Sequence, residues 1–498
     1  MNAFKKLASD TAIYGLSSII GRVLNYLLVP FYTSLLLPAE YGIVTELYAY
    51  AAFLNIIYGY GMETAYFRFA AQGRPIEVFR LTSSLLTLTS LLFSSLLAFL
   101  APLLSRWLGY SGHEHYIYYL AAILAVDTIL LIPFAQLRFS NQAFLFAQAK
   151  CLQVSLNIVF NLLLLYILPG IYAGKFFHLY NPLIHLIYNP ANHIEYIFLA
   201  NLIANICVLP ILSKPLLHFR FRIDWQKLRP IVIYAFPLLI MGLAGITNEM
   251  LSRALLKHLL PADLYPGHSK ETIVGVFGAC YKLAILMSLG IQAFRYAAEP
   301  FFFTHAQGKH SPQLFSKIMH GYIVVACFIW FAISANLDIL GYIFLRNPVY
   351  RTSIEIVPYL CLAYVWLGIY YNLSVWFKLV DKTYYGSVIT LIGASITMLL
   401  NILLVPYWGY WGSVWATVGS YMMMSIVCYY KGQKHYPVPY KTRYGLLYIL
   451  VTLVLIMLVR QIHCTSWTYA LVSNIGFTLI FGLITYINIK KPFRKSLF

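Results

Sequence analysis

The sequence predicts an all-α polytopic membrane protein of fourteen transmembrane helices, and three observations carry that prediction. Hydrophobic residues make up 61% of the chain and charged residues only 10%, where a soluble domain is nearer a quarter charged. Mean hydropathy is +0.73. Apolar runs long enough to cross a bilayer, about 20 residues each, recur from end to end with no soluble-looking block between them.

The first span is expected near 10–37. It follows the basic stretch MNAFKKLASD, which resembles the head of a secretory signal, but the apolar part is too long and lacks a small-residue cleavage site, so it reads as an uncleaved helix. Arg22 stands near its centre. A charge at that depth costs roughly 2.5–3.5 kcal/mol even on insertion-based scales and needs a partner or a water-filled cavity. Ser18, Arg22, Asn25, Val29 and Tyr32 share one helical face, so Arg22 belongs to a partly polar stripe.

The second span, near 41–67, carries Glu46 and Glu63, the third lies near 81–105, and the fourth, near 116–137, carries Asp127 mid-span with no basic residue within a turn. The fifth and sixth are placed near 143–168 and 195–213. The seventh, near 230–252, ends on Glu249, with Arg253 four residues on. The eighth, near 273–302, holds Lys282, Arg295 and Glu299. Six further spans are expected near 315–336, 354–377, 384–405, 411–430, 443–463 and 467–489. Pro30, Pro237, Pro300 and Pro358 interrupt these runs and permit kinks.

With the N-terminus inside, the connections place 24 Lys and Arg on the inner side and 8 on the outer, so the positive-inside rule puts both termini in the cytoplasm. The formal charge of +19 is therefore a topology signal plus attraction to anionic lipid, not a nucleic-acid footprint. Of the 35 Lys and Arg, three are not counted to a connection: Arg22, Lys282 and Arg295.

The seven cysteines form no CxxC pair and imply neither a disulfide framework nor a zinc site. His178, His185 and His193 lie in the longest external connection without acidic or cysteine company, so no metal is expected there. No GxxxxGK[ST] loop occurs, which argues against ATP hydrolysis.

Internal repetition organises the chain. At an offset of 240, Arg138 matches Lys378, Asn141 matches Asp381, Ser155 matches Ser395 and Asn161 matches Asn401. LLPAE at Leu36–Glu40 is echoed by LLPAD at Leu259–Asp263, and AQG at Ala71–Gly73 by AQG at Ala306–Gly308. The echoes keep one order, so spans 1–6 and 7–12 read as two parallel copies with a substrate site between them. The expected organisation is an N-terminal lobe at 1–229, a C-terminal lobe at 230–441, and two accessory helices with a basic tail at 442–498.

The runs GRVLNYLLVPFYTSLLLPAEYGIV (Gly21–Val44), FRYAAEPFFF (Phe294–Phe303) and NILLVPYWGYWGSVWAT (Asn401–Thr417) resemble bacterial polysaccharide and oligosaccharide flippases of the multidrug/oligosaccharidyl-lipid/polysaccharide exporter superfamily. The resemblance covers essentially spans 1–12. It implies a V-shaped pair of six-helix lobes in the inner membrane. It further implies alternating-access transport of undecaprenyl-pyrophosphate-linked glycans, as used for lipopolysaccharide O-antigen, with a glycan polymerase as partner. The lipid II flippase is a more distant relative whose cationic cavity is the template carried over, and the arginine in its first span resembles Arg22.

From the residues themselves, the charges divide by whether they can be neutralised on their own helix. Glu249 and Arg253, like Arg295 and Glu299, stand at i,i+4 and are expected to form local ion pairs. Arg22 and Lys282 have no such neighbour. Arg22 either pairs with Glu46 or Glu63 on the second span or, with Asn25 beside it and Lys282, Arg253 and Arg295 in support, contacts a pyrophosphate, for which Arg offers a bidentate fork and Lys a mobile point charge. The acids Glu46, Glu63 and Asp127 are the candidates for proton or sodium coupling, Asp127 being equally able to serve as a packing residue or interhelical partner. A drug or small-cation exporter would favour acidic cavity residues, and a membrane glycosyltransferase or polymerase would show clustered external carboxylates; external acids here are scattered over separate loops.

Overall fold

The computed structural model describes residues 24, 26–140, 142–175, 188–190, 192–261, 263–305, 311–380, 382–461 and 467–494. Among these residues the chain is helical with no strand, and nine helices are long and apolar enough to cross a membrane. It is thus a multi-pass membrane protein.

Two compact units form. The first comprises Met1–Leu36 and Ile43–Ile246, the second Leu37–Gly42 and Thr247–Phe498.

In the first unit the described part of the first span is α1 (Leu28–Leu35). The expected second span is not one helix. It divides into α2 (Pro38–Gly59) and α3 (Met62–Ala70), with Tyr60 at φ 29° and Gly61 at φ 74° between them. Gly61 is needed for two reasons: its left-handed backbone suits glycine, and a Cβ there would lie 2.6 Å from Cβ of Leu238 and 2.9 Å from the carbonyl oxygen of Ala235. Four helices follow: α4 (Pro75–Trp107), α5 (His115–Phe139), α6 (Ala143–Tyr172) and α7 (His193–Ile206). The unit closes on the first part of α8 (Trp225–Leu259). A wide helical turn at Leu163–Ile167 interrupts α6, a feature frequent at functional sites. The apolar core gathers Met62, Tyr66, Phe79 and Ile132 around Ala235, so the kink is held from both sides by packing.

In the second unit the rest of α8 is followed by α9 (Lys270–His305), α10 (Ser311–Ala335), α11 (Val357–Leu373), α12 (Tyr384–Trp408), α13 (Tyr410–His435), α14 (Thr442–Gln461) and α15 (Trp467–Arg494). The short segment Leu37–Gly42 joins this unit through glycine contact: a Cβ on Gly42 would lie 1.9 Å from the carbonyl oxygen of Glu271, and one on Gly275 would lie 1.9 Å from that of Pro38. Small residues let two membrane helices approach this closely. Gly409, at φ 54°, forms the turn between α12 and α13, where a side chain would strike the Tyr265 hydroxyl. Pro358, expected to interrupt a span, instead occupies the first turn of α11, where its missing N–H costs nothing.

Candidate functional site

The second unit holds a buried cation among tyrosines. Arg253 on α8 is 6% exposed, and its guanidinium lies 4.1 Å from the centre of the Tyr281 ring, a cation–π geometry. The expected pairing with the Glu249 carboxylate is not formed within 4 Å among the described residues; instead Nη2 donates to the Glu249 carbonyl oxygen at 3.2 Å. The i,i+4 spacing brings the guanidinium back along its helix, and the exposed Glu249 carboxylate acts on it only through its field. Nε of Arg253 is buried with no hydrogen-bond partner among the described residues. Half-buried Lys282, on α9, lies in the fields of both Arg253 and Glu249. Tyr364 and Tyr421, both buried, complete the surroundings. The three charged groups sum to one positive charge.

This stretch of α8 is held by a buried polar network. Asn248 donates to the carbonyl of Thr390 at 3.1 Å and accepts from Thr397 at 3.0 Å and Ser420 at 3.2 Å. One turn on, Ser252 accepts from Asn401 at 3.2 Å, and Asn401 accepts from Ser413 at 2.9 Å. Each amide meets donors and acceptors of α12 and α13, as buried polar groups require. The network sets the rotation of α8 and thereby aims Arg253.

Arg295 stands apart. Thirteen residues separate it from Lys282 on α9, about 20 Å of helical rise. It lies 5.0 Å from the centre of the Tyr371 ring and lines a cavity of about 240 Å³ with Lys378, Tyr370 and Asn372. Lys282 and Arg253 therefore form one cationic group and Arg295 with Lys378 another.

The first unit carries a separate polar cavity of about 460 Å³. Asn55 and Gly59 on α2, Glu63 on α3, Asp127, Phe134 and Arg138 on α5, and Phe146, Lys150 and Gln153 on α6 face it. Spacings of i, i+4 and i+7 put each set on one helix face. Glu63 and Arg138 form an ion pair. Asp127 lacks a basic neighbour in sequence, yet a hydrogen-bonded chain ties it to one. Lys150 donates to Gln153 at 3.0 Å, Gln153 to Asn205 at 2.7 Å, and Asn205 to Asp127 at 2.6 Å. Such a chain, running from ammonium to carboxylate, polarises each bond in the same sense. Glu46, 1% exposed, accepts from the hydroxyls of Tyr110 and, at 3.3 Å, Tyr50.

Arg22 and Asn25 lie outside the described residues, as do His178 and His185. Glu299 falls within α9, its side chain outside the described set. Arg138 and Lys150, counted above as connection residues, are cavity residues, and Gln153 and Asn205 were not singled out at all. One signal was present: the repeat offset that matches Arg138 with Lys378 pairs two residues that each line a cavity in their own unit.

Solved structures with a similar fold include a lipid II flippase and MATE transporters. The lipid II flippase MurJ in an inward closed conformation matches with a TM-score of 0.70 at 11% identity over 97% of this chain and 99% of that one. An inward-facing multidrug-resistance MATE transporter of the MOP superfamily matches with a TM-score of 0.59 at 14% identity, over 91% and 100% of the two chains. The Vibrio cholerae MATE transporter VcmN, in a mutant form, matches at 0.57 and 13%, over 86% and 95%. At these identities the likeness establishes the fold, which is that of the MOP transporters. A sequence comparison with curated proteins returns no match. The family profile described as polysaccharide biosynthesis protein matches residues 7–305, more than half the chain, and the chain belongs to that family.

Proposed function

We propose that this protein is a flippase that moves undecaprenyl-pyrophosphate-linked oligosaccharide repeat units across the bacterial inner membrane by alternating access, through fourteen spans and with both termini in the cytoplasm. The observation that carries this reading is Arg253, a nine-tenths-buried guanidinium with an unpartnered Nε and a second cation, Lys282, in its field. A membrane protein keeps such a cation group only at a cost. A diphosphate offsets that cost with charge-assisted hydrogen bonds, each stronger than a neutral one. Arg22 is proposed to join this anion contact from the first span. The chain then has no bond-making chemistry to perform: the lipid tail remains in the bilayer while the head group crosses. A glycan polymerase is the proposed partner rather than an activity of this chain.

Resetting the carrier is assigned to proton or sodium coupling, with Asp127 the proposed group. An exporter of cationic drugs is the rival, and the net positive group around Arg253 would repel its substrates.

The test is flipping of a fluorescent polyprenyl-pyrophosphate oligosaccharide in proteoliposomes. Lys282→Ala and Arg22→Ala should each slow it at least about tenfold, matching the roughly 1.5–3 kcal/mol of a charge-assisted bond, and Lys282→Arg and Arg22→Lys should keep part of the rate. Native protein that moves ethidium but not the lipid-linked probe would establish the exporter instead.

A further inference from the structure

We propose that the polar cavity of the first unit binds the uncharged sugar residues of the glycan, so that the chain reads its cargo's carbohydrate as well as its phosphates. The inference rests on the flippase reading above.

The charge balance of the lining comes first. Glu63 and Asp127 are offset by Arg138 and Lys150, so the cavity is formally neutral, whereas the cavity beside Arg295 holds Arg295 and Lys378 and no acid. A neutral lining rich in donors and acceptors suits a polyol and does not concentrate phosphate.

Its volume is the second point. Ion pairs made for packing close upon themselves, but these charges stand around about 460 Å³ of open space, within the roughly 300–1,000 Å³ typical of small-molecule pockets. Asp127 and Arg138 are eleven residues apart on one helix, about 16 Å, so the cavity is elongated, as a short chain of rings requires. Glu63, Asp127, Arg138, Lys150 and Gln153 are all half-buried rather than sealed.

Preorganisation is the third. The Lys150–Gln153–Asn205–Asp127 chain holds its own polar groups in one orientation and leaves the second Asp127 oxygen for a ligand, while the Lys150 ammonium also lies 4.0 Å from the centre of the Phe134 ring. Asn55 is exposed and makes no hydrogen bond among the described residues. Leu131 and Phe146 supply apolar wall for the C–H faces of a pyranose. No group of three or more His, Cys, Asp or Glu side chains suited to a metal exists among the described residues, which sets the cavity apart from a divalent-cation site.

The experiment measures binding to the full chain in lipid nanodiscs with two probes, undecaprenyl pyrophosphate and the same lipid bearing chitobiose. Native protein should hold the glycosylated probe at least about tenfold more tightly. Asn55→Ala and Gln153→Ala should each lower affinity for that probe about threefold to tenfold, the value of one hydrogen bond, and leave the bare lipid unaffected. Asn55→Ala breaks no internal bond, so its result is independent of any folding defect in Gln153→Ala. Equal native affinity for the two probes, or variants that weaken both alike, overturns the sugar site and leaves the flippase reading standing. If neither lipid binds better than undecaprenol, the flippase reading falls and takes the sugar site with it.

Discussion

Asn161 and Asn401, which the sequence offset of 240 matches, do the same local work. Each is fully buried, and each donates Nδ2 to the carbonyl four residues earlier at 2.7 Å. Their carbonyl oxygens then reach different partners, the Tyr32 hydroxyl at 2.7 Å for Asn161 and the Ser413 hydroxyl at 2.9 Å for Asn401. A buried amide in a membrane helix is costly and survives only where it is bonded. Replacing Asn401 with Ala strands the Ser252 and Ser413 hydroxyls and should destabilise by roughly 1–3 kcal/mol. Scanning fluorimetry in detergent would register this as a lower unfolding midpoint, and an unchanged midpoint would show that the network is not needed. Lys282 was legible, since a lone charge in an apolar run stands out. Asp127 stood out as a lone mid-span acid, but nothing local joined Arg138 and Lys150 to it. Their shared meaning arises from α2, α3, α5 and α6 facing one volume.

At the scale of the element, the main departure from expectation is the second span. Residues 41–67 read as one apolar run, and the only local sign of the break at Tyr60 and Gly61 is the pair of glycines at 59 and 61. The cause is non-local: Ala235 and Leu238 of α8 press against Gly61 and leave no room for a side chain. Gly61→Ala is therefore expected to cost about 1–3 kcal/mol through overpacking and left-handed strain. Because Gly59 and Glu63 flank the break and line the cavity, the same substitution should also weaken binding of the chitobiose lipid. Thermal midpoint and affinity measured on one preparation would separate the two effects, and a variant indistinguishable from native protein in both would remove the kink from the argument. Gly42 and Gly275 show the same dependence on a partner: LPAEYG reads as a helix start, but only the neighbouring backbone explains why its glycine accepts no methyl group.

Across the whole molecule, the last two helices, expected as accessory, are integral to the second unit. Phe481 of α15 stacks on Phe331 of α10 at 4.6 Å, and Asn336 donates to Thr478 at 3.0 Å. Arg460 at the end of α14 holds Asp338 at 3.1 Å and also pairs with Glu355. Deleting 442–498 removes two spans and preserves the proposed topology of the rest, yet it should sharply reduce the yield of monodisperse protein. Size-exclusion chromatography of the truncated chain would decide, and a normal profile would make these helices dispensable. The cytoplasmic placement of both termini can be checked with alkaline phosphatase fusions, which should be inactive at residue 498 and active in the connection after Trp107.

The sequence by itself determined the membrane class, the helical fold and the family, because each rests on hydropathy, spacing or composition, quantities carried by the chain order alone. Tertiary structure decided the rest. It broke the second span, gave Arg253 the Glu249 carbonyl rather than its carboxylate, separated Arg295 from Lys282 along α9, and gathered Asn55, Glu63, Asp127, Arg138, Lys150 and Gln153 around one cavity. These outcomes depend on which helix faces which, and that is set by side-chain packing between segments remote in sequence, for which local periodicity holds no record.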